Sequence, residues 1–215
     1  MILANDVLIL YLVAYLLGSI PTAVWIGRVF YGIDVREHGS KNAGATNTYR
    51  VLGPKAAIPV LFIDILKGFT ATSLIHLYPE LIPNETSAFV IVKALCGALA
   101  VVGHLFPVFA GFRGGKGVAT LFGMVIGLFP QAAGLALLSF ILTYLISNYV
   151  SLGSILASLT FSLAVLFVFR DERSAMIIFS LLQFILILFT HRKNIVRLKN
   201  GEEKKIYVFS KKRSL

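Results

Sequence analysis

An all-α integral membrane protein is the fold class the sequence predicts: a bundle of seven transmembrane helices, one of them short, with polar re-entrant loops on the cytoplasmic face. Three observations predict it. Of 215 residues, 57% are hydrophobic and only 14% are charged, which is more apolar surface than a water-soluble domain of this length can bury. The apolar residues come in long runs separated by short polar segments. The cations are unevenly spread, with nine of the twenty Lys and Arg after residue 190, and cation asymmetry of this kind orients spans in a membrane.

Apolar windows fall at about 6–29, 55–77, 87–107, 117–147, 151–169 and 174–190. The first begins within the opening stretch "MILANDVLILYLVAYLLG", which lacks a basic n-region and a small-residue cleavage site and is expected to stay as a helix rather than act as a signal peptide. The second carries Asp64 and Lys67, three residues apart on one helix, where each satisfies the other's intramembrane charge. In the third, Lys93 stands near the outer end and can snorkel. His104, at its other end, reads equally as a site residue or as a helix-end histidine bonded to backbone.

The fourth window is 31 residues long with Pro130 near its middle, whereas about 20 residues cross a bilayer. It is either one kinked helix or a hairpin of a short helix, 117–129, and a full one, 131–147. Charge chooses the hairpin. Seven spans put 30–54, 107–117, 148–151 and 191–215 on one face with almost all basic loop residues, and place the amino terminus outside. The opposite face then receives the turn at Pro130, the loop with Glu80 and Glu85, and the balanced "RDER" at 170–173. Six spans would send the nine-cation tail to the face opposite Lys41 and Lys116, against the positive-inside tendency. Gly123 and Gly127 make a small-xxx-small packing face on the short helix. Ser151 and Ser154 open the next span, where serines usually cap.

No repeat or linker divides the chain, so residues 1–215 read as a single transmembrane domain with a basic cytoplasmic tail, 191–215. The lone cysteine, Cys96, excludes an intrachain disulfide. Such a tail beside a membrane also favours anionic lipid headgroups.

Three polar segments share the cytoplasmic face in this arrangement. "GIDVREHGSKNAGATNTYR", 32–50, is longer and more polar than a connection needs, and Asn42, Thr46, Asn47 and Arg50 supply donors within a few residues. "GFRGGKGVAT", 111–120, sets Gly111, Gly114, Gly115 and Gly117 around Arg113 and Lys116, a pattern suited to an anion cradle. "HRKNIVRLKNGEE", 191–203, repeats His191, Asn194 and Arg197 every third residue, on one face of a short helix; an amphipathic surface helix is the alternative for that stretch alone.

Several chemistries are excluded. "GFRGGKG" is not a Walker A loop, because Ala110 stands at the first glycine position and Gly117 follows the lysine. There is no G-x-S-x-G elbow. The four histidines lack metal-ligand spacing, and none is followed five residues later by Asp, which removes the His-x4-Asp acyltransferase arrangement.

Taken jointly, "HGSKNAGATNTYRVLG", "GHLFPVFAGFRGGKGVAT" and "HRKNIVRLKNGEE" resemble the membrane-integral, acyl-phosphate-dependent glycerol-3-phosphate acyltransferases of bacterial plasma membranes, over essentially the whole chain. One departure is Lys41, where that family more often has glycine in "GSGN"; it touches the local turn geometry. The resemblance implies transfer of a fatty acyl group from acyl phosphate to the 1-hydroxyl of glycerol 3-phosphate, giving lysophosphatidic acid and phosphate. This would be the first step of phospholipid synthesis, without acyl-CoA, cofactor or metal. It implies acyl phosphate, glycerol 3-phosphate and membrane lipids as partners, and no nucleic acid.

Carried over by motif position, Ser40, Asn42, Asn47, Arg50, Lys116, His191 and Asn194 would bind substrate, with Ser154 as an addition. Lys116, Arg50 and His191 are the expected catalytic residues. Lys116 with the loop amides of Gly114, Gly115 and Gly117 would take one phosphate. Arg50 with Ser40 and Asn47 would take the other, and His191 and Asn194 would orient glycerol 3-phosphate. The acyl tail would leave sideways between helices. The competing classes are a transporter or channel for an organic phosphate, which usually binds near the midplane between inverted repeats, and a lipid-anchoring scaffold, which leaves the glycine-rich loop unexplained.

Overall fold

The computed structural model describes residues 2–78, 82 and 86–207. Glu80, Glu85 and the tail cations Lys211, Lys212 and Arg213 lie outside the described residues. The described chain is all-helical: α1 (Ile2–Gly18), α2 (Thr22–Tyr31), α3 (Ala45–Leu52), α4 (Pro54–Ser73), α5 (Ser87–Leu105), α6 (Val118–Leu128), α7 (Pro130–Ser147), α8 (Val150–Leu163), α9 (Ser174–Thr190) and α10 (Arg192–Lys199). Among these residues, four helical stretches are long and apolar enough to cross a membrane, and two bent pairs, α1 with α2 and α9 with α10, bring the number to as many as six. The 11-residue α6 is about 16 Å long at 1.5 Å per residue, short of a ~30 Å hydrocarbon core.

The first window is not one helix. It bends by 40° between α1 and α2, because Pro21 has no N–H to continue the ladder. A carbonyl freed at that break is used: Lys67 Nζ donates to the Ile20 oxygen at 3.0 Å. Lys67 also pairs with Asp64 at 2.9 Å, as the sequence predicts, and Thr22 Oγ donates to the same carboxylate at 3.1 Å. A polar cluster inside the bundle is thus satisfied locally, as a low-dielectric setting demands. Lys93 lies over the Phe89 ring, 5.7 Å from its centroid, a contact that suits a half-buried ammonium.

The fourth window breaks where Pro130 predicts, with Pro130 as the first residue of α7. α6 packs on α4, α7 on α8, and α1 on α5. The α4–α6 contact depends on small residues: a Cβ on Gly123 would collide with the Ile65 carbonyl, and one on Gly68 with that of Thr120. Backbone contact of this closeness is how helices associate where the hydrophobic effect is absent.

Lys41, the departure from the family pattern, has φ +60°. This is left-handed backbone that costs an L-residue about 1–2 kcal/mol and glycine little. Its side chain is exposed. Lys41→Gly is therefore expected to stabilise the fold by about 0.5–1 kcal/mol after glycine's larger unfolded-state entropy is subtracted. Unfolding in detergent, compared between the two proteins, measures this.

Candidate active site

A cavity of about 520 Å³ runs between α4, α6, α7, α8 and α9. Its wall has two characters. One end carries Asn42, Thr46, Lys116, Ser154 and His191; Asp64, His104, Ser158 and Gln183 are further polar lining residues, and most of the rest is apolar, with Ile58, Leu61, Phe122, Leu137, Phe140 and Phe161 among its residues. Ile58 and Leu61 of α4 and Leu137 of α7 are also exposed.

Lys116 is the centre of the polar end. Its Nζ donates to Asn194 Oδ1, and Asn194 Nδ2 donates to Glu203 Oε1 at 2.6 Å. The buried Glu203 carboxylate also accepts from Ser151 Oγ at 2.9 Å and from Arg197 Nε at 2.7 Å. Arg50 stands beside this chain and donates to the Lys204 carbonyl at 3.2 Å. Lys116, Arg50 and Arg197 therefore act on one carboxylate and repel one another. Burial, together with the Arg197 and Arg50 charges and against the Glu203 charge, pulls the Lys116 ammonium down to about 8. Three cations sharing one carboxylate, with lysine held at reduced pKa, constitute a site that gains by receiving an anion.

His191 lies at the bend between α9 and α10 and is 3% exposed. Its Nδ1 is 3.0 Å from the Ile187 carbonyl. A carbonyl only accepts, so Nδ1 carries the hydrogen and Nε2 keeps its lone pair. Burial and the Lys116 charge depress its pKa to about 4, so the ring is neutral near pH 7.

Several expected ligands have other work. All of Asn47's hydrogen-bonding capacity is used inside the first polar segment: Oδ1 accepts from Ser40 N at 2.7 Å and Ser40 Oγ at 3.0 Å, and Nδ2 donates to the Val35 and His38 carbonyls at 2.8 and 3.1 Å. Here Asn47 shapes the segment, with its amide committed within it, and Ser40 gives its hydroxyl hydrogen to it. The amides of Gly114 and Gly115 donate to the Leu105 and His104 carbonyls, both at 3.1 Å, so they close the end of α5 and do not cradle an anion. Their missing side chains have a packing cause: a Cβ on either would collide with His104.

Gly117 does line the cavity, at φ +77° as the N-cap of α6, and Val118 and Ala119 follow it there. First-turn amides of a helix have no intrahelical partner, so the backbone donors this stretch can offer the cavity lie at the start of α6, beyond Gly114 and Gly115. Arg113 is exposed. Ser154 is buried and lines the cavity, with its Oγ bonded back to Val150 O at 2.8 Å.

Among the described residues, no backbone group bonds the His104 ring. Its Nδ1 lies 3.6 Å from Asp64 Oδ1, beyond hydrogen-bond range, and both residues line the cavity. Glu203 is the residue whose part the sequence hid. The available signal was a pair of carboxylates, Glu202 and Glu203, inside an otherwise basic tail.

A family model described as glycerol-3-phosphate acyltransferase matches residues 8–201. The glycerol-3-phosphate acyltransferases of Listeria welshimeri and Listeria monocytogenes are 45% and 42% identical over 201 residues, covering 94% of this chain and 97% of each relative. The crystal structure of PlsY (YgiH), an integral membrane glycerol 3-phosphate acyltransferase, in its glycerol 3-phosphate form aligns with a TM-score of 0.83 at 36% identity. Its lysophosphatidic acid form aligns at 0.79 and 35%; each alignment covers 94% of this chain and 96% of that one. Agreement in sequence and in three dimensions over nearly the whole length makes this chain an integral membrane protein of the glycerol-3-phosphate acyltransferase family.

Proposed function

We propose that this protein transfers a fatty acyl group from acyl phosphate to the 1-hydroxyl of glycerol 3-phosphate, at the cytoplasmic face of a bacterial plasma membrane that it crosses seven times. The observation that carries the reading is a cavity lined both by Lys116 with other polar groups and by many apolar side chains, some of them exposed on α4 and α7. Acyl phosphate has that same division: a phosphate head and a hydrocarbon tail. α6 makes the short pass, and its first turn faces the cationic end. The segments bearing Lys41, Arg50, Lys116 and Arg197 then face the cytosol, as the positive-inside tendency favours.

Lys116 and the first-turn amides of α6 hold one phosphate, while Arg50, with Asn42 at the open edge, holds the other. His191 Nε2 and Ser154 orient the glycerol hydroxyls. Asn194 positions the Lys116 ammonium. The 1-hydroxyl oxygen attacks the acyl carbonyl carbon, and the tetrahedral species collapses by breaking the bond to the phosphate oxygen. Inorganic phosphate leaves and lysophosphatidic acid remains. The hydroxyl proton passes to the phosphate of glycerol 3-phosphate, since a histidine held at about 4 is a weak base near neutrality. The leaving group is already activated, so positioning and charge stabilisation supply the catalysis.

The test is product formation by the purified protein from labelled glycerol 3-phosphate, with acyl phosphate or acyl-CoA as donor. Lysophosphatidic acid is expected from acyl phosphate. Equal or faster formation from acyl-CoA, with acyl phosphate excluded, would reject the donor assignment.

The depressed Lys116 predicts a pH dependence. In the free enzyme the ammonium is lost as pH rises through about 8, so kcat/KM falls on the alkaline side of that value. A bound phosphate favours the charged form, so the corresponding limb of kcat lies at higher pH. In Lys116→Arg, which stays charged, the limb near 8 is expected to disappear from whatever activity remains; its persistence would assign it to another group.

A further inference from the structure

We infer that Arg36 is a positioning residue for this reaction, tying the loop that carries Lys116 to the first polar segment so that the two halves of the anion site keep one spacing. The inference rests on the function proposed above. Arg36 does not line the cavity, and its side chain is 10% exposed. It forks onto Asp34, with Nε donating to Oδ1 at 3.0 Å and Nη2 to Oδ2 at 2.8 Å. The remaining nitrogen, Nη1, crosses to the second loop and donates to the Ala110 carbonyl at 2.7 Å and the Arg113 carbonyl at 3.2 Å. These carbonyls stand six and three residues before Lys116, and between them Gly111 and Phe112 adopt φ +62° and +57°, folding the loop so that both oxygens meet one guanidinium nitrogen.

Arg36 is itself firmly held. Its neighbour Val35 is fully buried in a cluster with Ala23 and Val60, and Asn47 Nδ2 bonds the Val35 carbonyl. Asp34 accepts the Arg36 amide at 2.9 Å and Arg28 Nη2 at 2.8 Å besides the guanidinium. The first segment supplies Asn42 and Thr46 to the cavity and the second supplies Lys116 and Gly117. Arg36 bonds one segment to the other, while Gly114 and Gly115 bond the loop to the end of α5. Lysine cannot replace it: a single ammonium lacks the planar fork that grips Asp34 while reaching two carbonyls.

The prediction is a split between binding and turnover. Both substrates meet the cationic end before the chemistry begins, so loosening it removes ground-state binding and raises KM more than it lowers kcat. Arg36→Ala is expected to raise KM for glycerol 3-phosphate by about tenfold or more with kcat changed by less than about fivefold. Arg36→Lys should fall between Arg36→Ala and the parent.

A general loss of stability would act independently of Lys116, whereas a residue acting through the Lys116 loop would not. Adding Arg36→Ala to Lys116→Ala should therefore cost less than about twofold further in kcat/KM. The wild-type protein is assayed first with acyl phosphate; no transfer there rejects the function itself. With transfer established, an unchanged KM in Arg36→Ala, or a fully additive loss in the double variant, overturns the positioning role. If Arg36→Ala does not fold in detergent, Arg36→Lys is judged by the same two criteria, alone and combined with Lys116→Ala.

Discussion

Lys116→Ala is expected to lower kcat/KM by about a hundred- to thousandfold, the usual cost of deleting one preorganised donor from a charge-stabilising site. Two effects combine. The phosphate at the first turn of α6 loses its point charge, and Asn194 Oδ1 loses the donor that orients it. Turnover should suffer along with binding, because the departing phosphate gains negative charge as its bond to the acyl carbon breaks. Arg50→Ala should give a loss of similar order, since the half-buried guanidinium stands in the same group of cations. Steady-state kinetics on detergent-purified variants, with gel filtration to confirm folding, measures both. A loss below about tenfold in Lys116→Ala would remove that residue from the centre of the site.

Glu203→Ala is expected to be worse for the protein as a whole. Its carboxylate accepts from Ser151, Asn194 and Arg197, and it is the one negative charge that Lys116, Arg50 and Arg197 share. Removing one partner from a fully buried ion pair costs about 3–5 kcal/mol; because Arg197 is 39% exposed, solvent screening makes the cost here smaller, yet still a sizeable part of the stability of an ordinary domain. The expected result is a lower folded yield and a lower melting temperature, with activity lost in proportion to folded protein or beyond it. Glu203→Gln keeps the acceptor oxygen for Ser151 or Asn194 but not the charge, so it should fall between the two. Both are read from the melting curve and from the activity per folded molecule. Full stability in Glu203→Ala would mean that the carboxylate holds nothing together.

The residues differ in how far the sequence alone placed them. The break at Pro130, the Asp64–Lys67 pair and the packing face of Gly123 are local consequences of proline chemistry and helical spacing, and were legible without coordinates. Lys116, His191 and Asn42 were expected as site residues because their types and spacing match a motif, and the structure places all three on the cavity wall. The roles of Asn47, Gly114 and Gly115 were not. Each belongs to the right motif, yet its polar groups are consumed by a neighbouring carbonyl or amide, and only the folded chain decides whether a donor faces a ligand or another loop. Glu203 was visible as a carboxylate among cations, but its three donors come from positions 151, 194 and 197 and meet only after folding. Arg36 was hidden for the same reason, since its grip on the Ala110 and Arg113 carbonyls is a tertiary contact.

The central claim is that the protein binds and orients two phosphorylated substrates while the substrate's own phosphate accepts the proton. The most direct measurement is the turnover of His191→Gln at saturating acyl phosphate and glycerol 3-phosphate. Glutamine keeps hydrogen-bonding groups at that position and has no basicity near neutral pH. The histidine it replaces, with Nδ1 on the Ile187 carbonyl and its pKa held near 4, is itself a weak base. The account predicts a turnover within about tenfold of the parent and a raised requirement for glycerol 3-phosphate, because an orienting contact is altered while the proton acceptor is not. A dedicated base contributes about 10²–10⁴-fold; a loss of about a thousandfold in a folded variant would make His191 the general base and contradict the account.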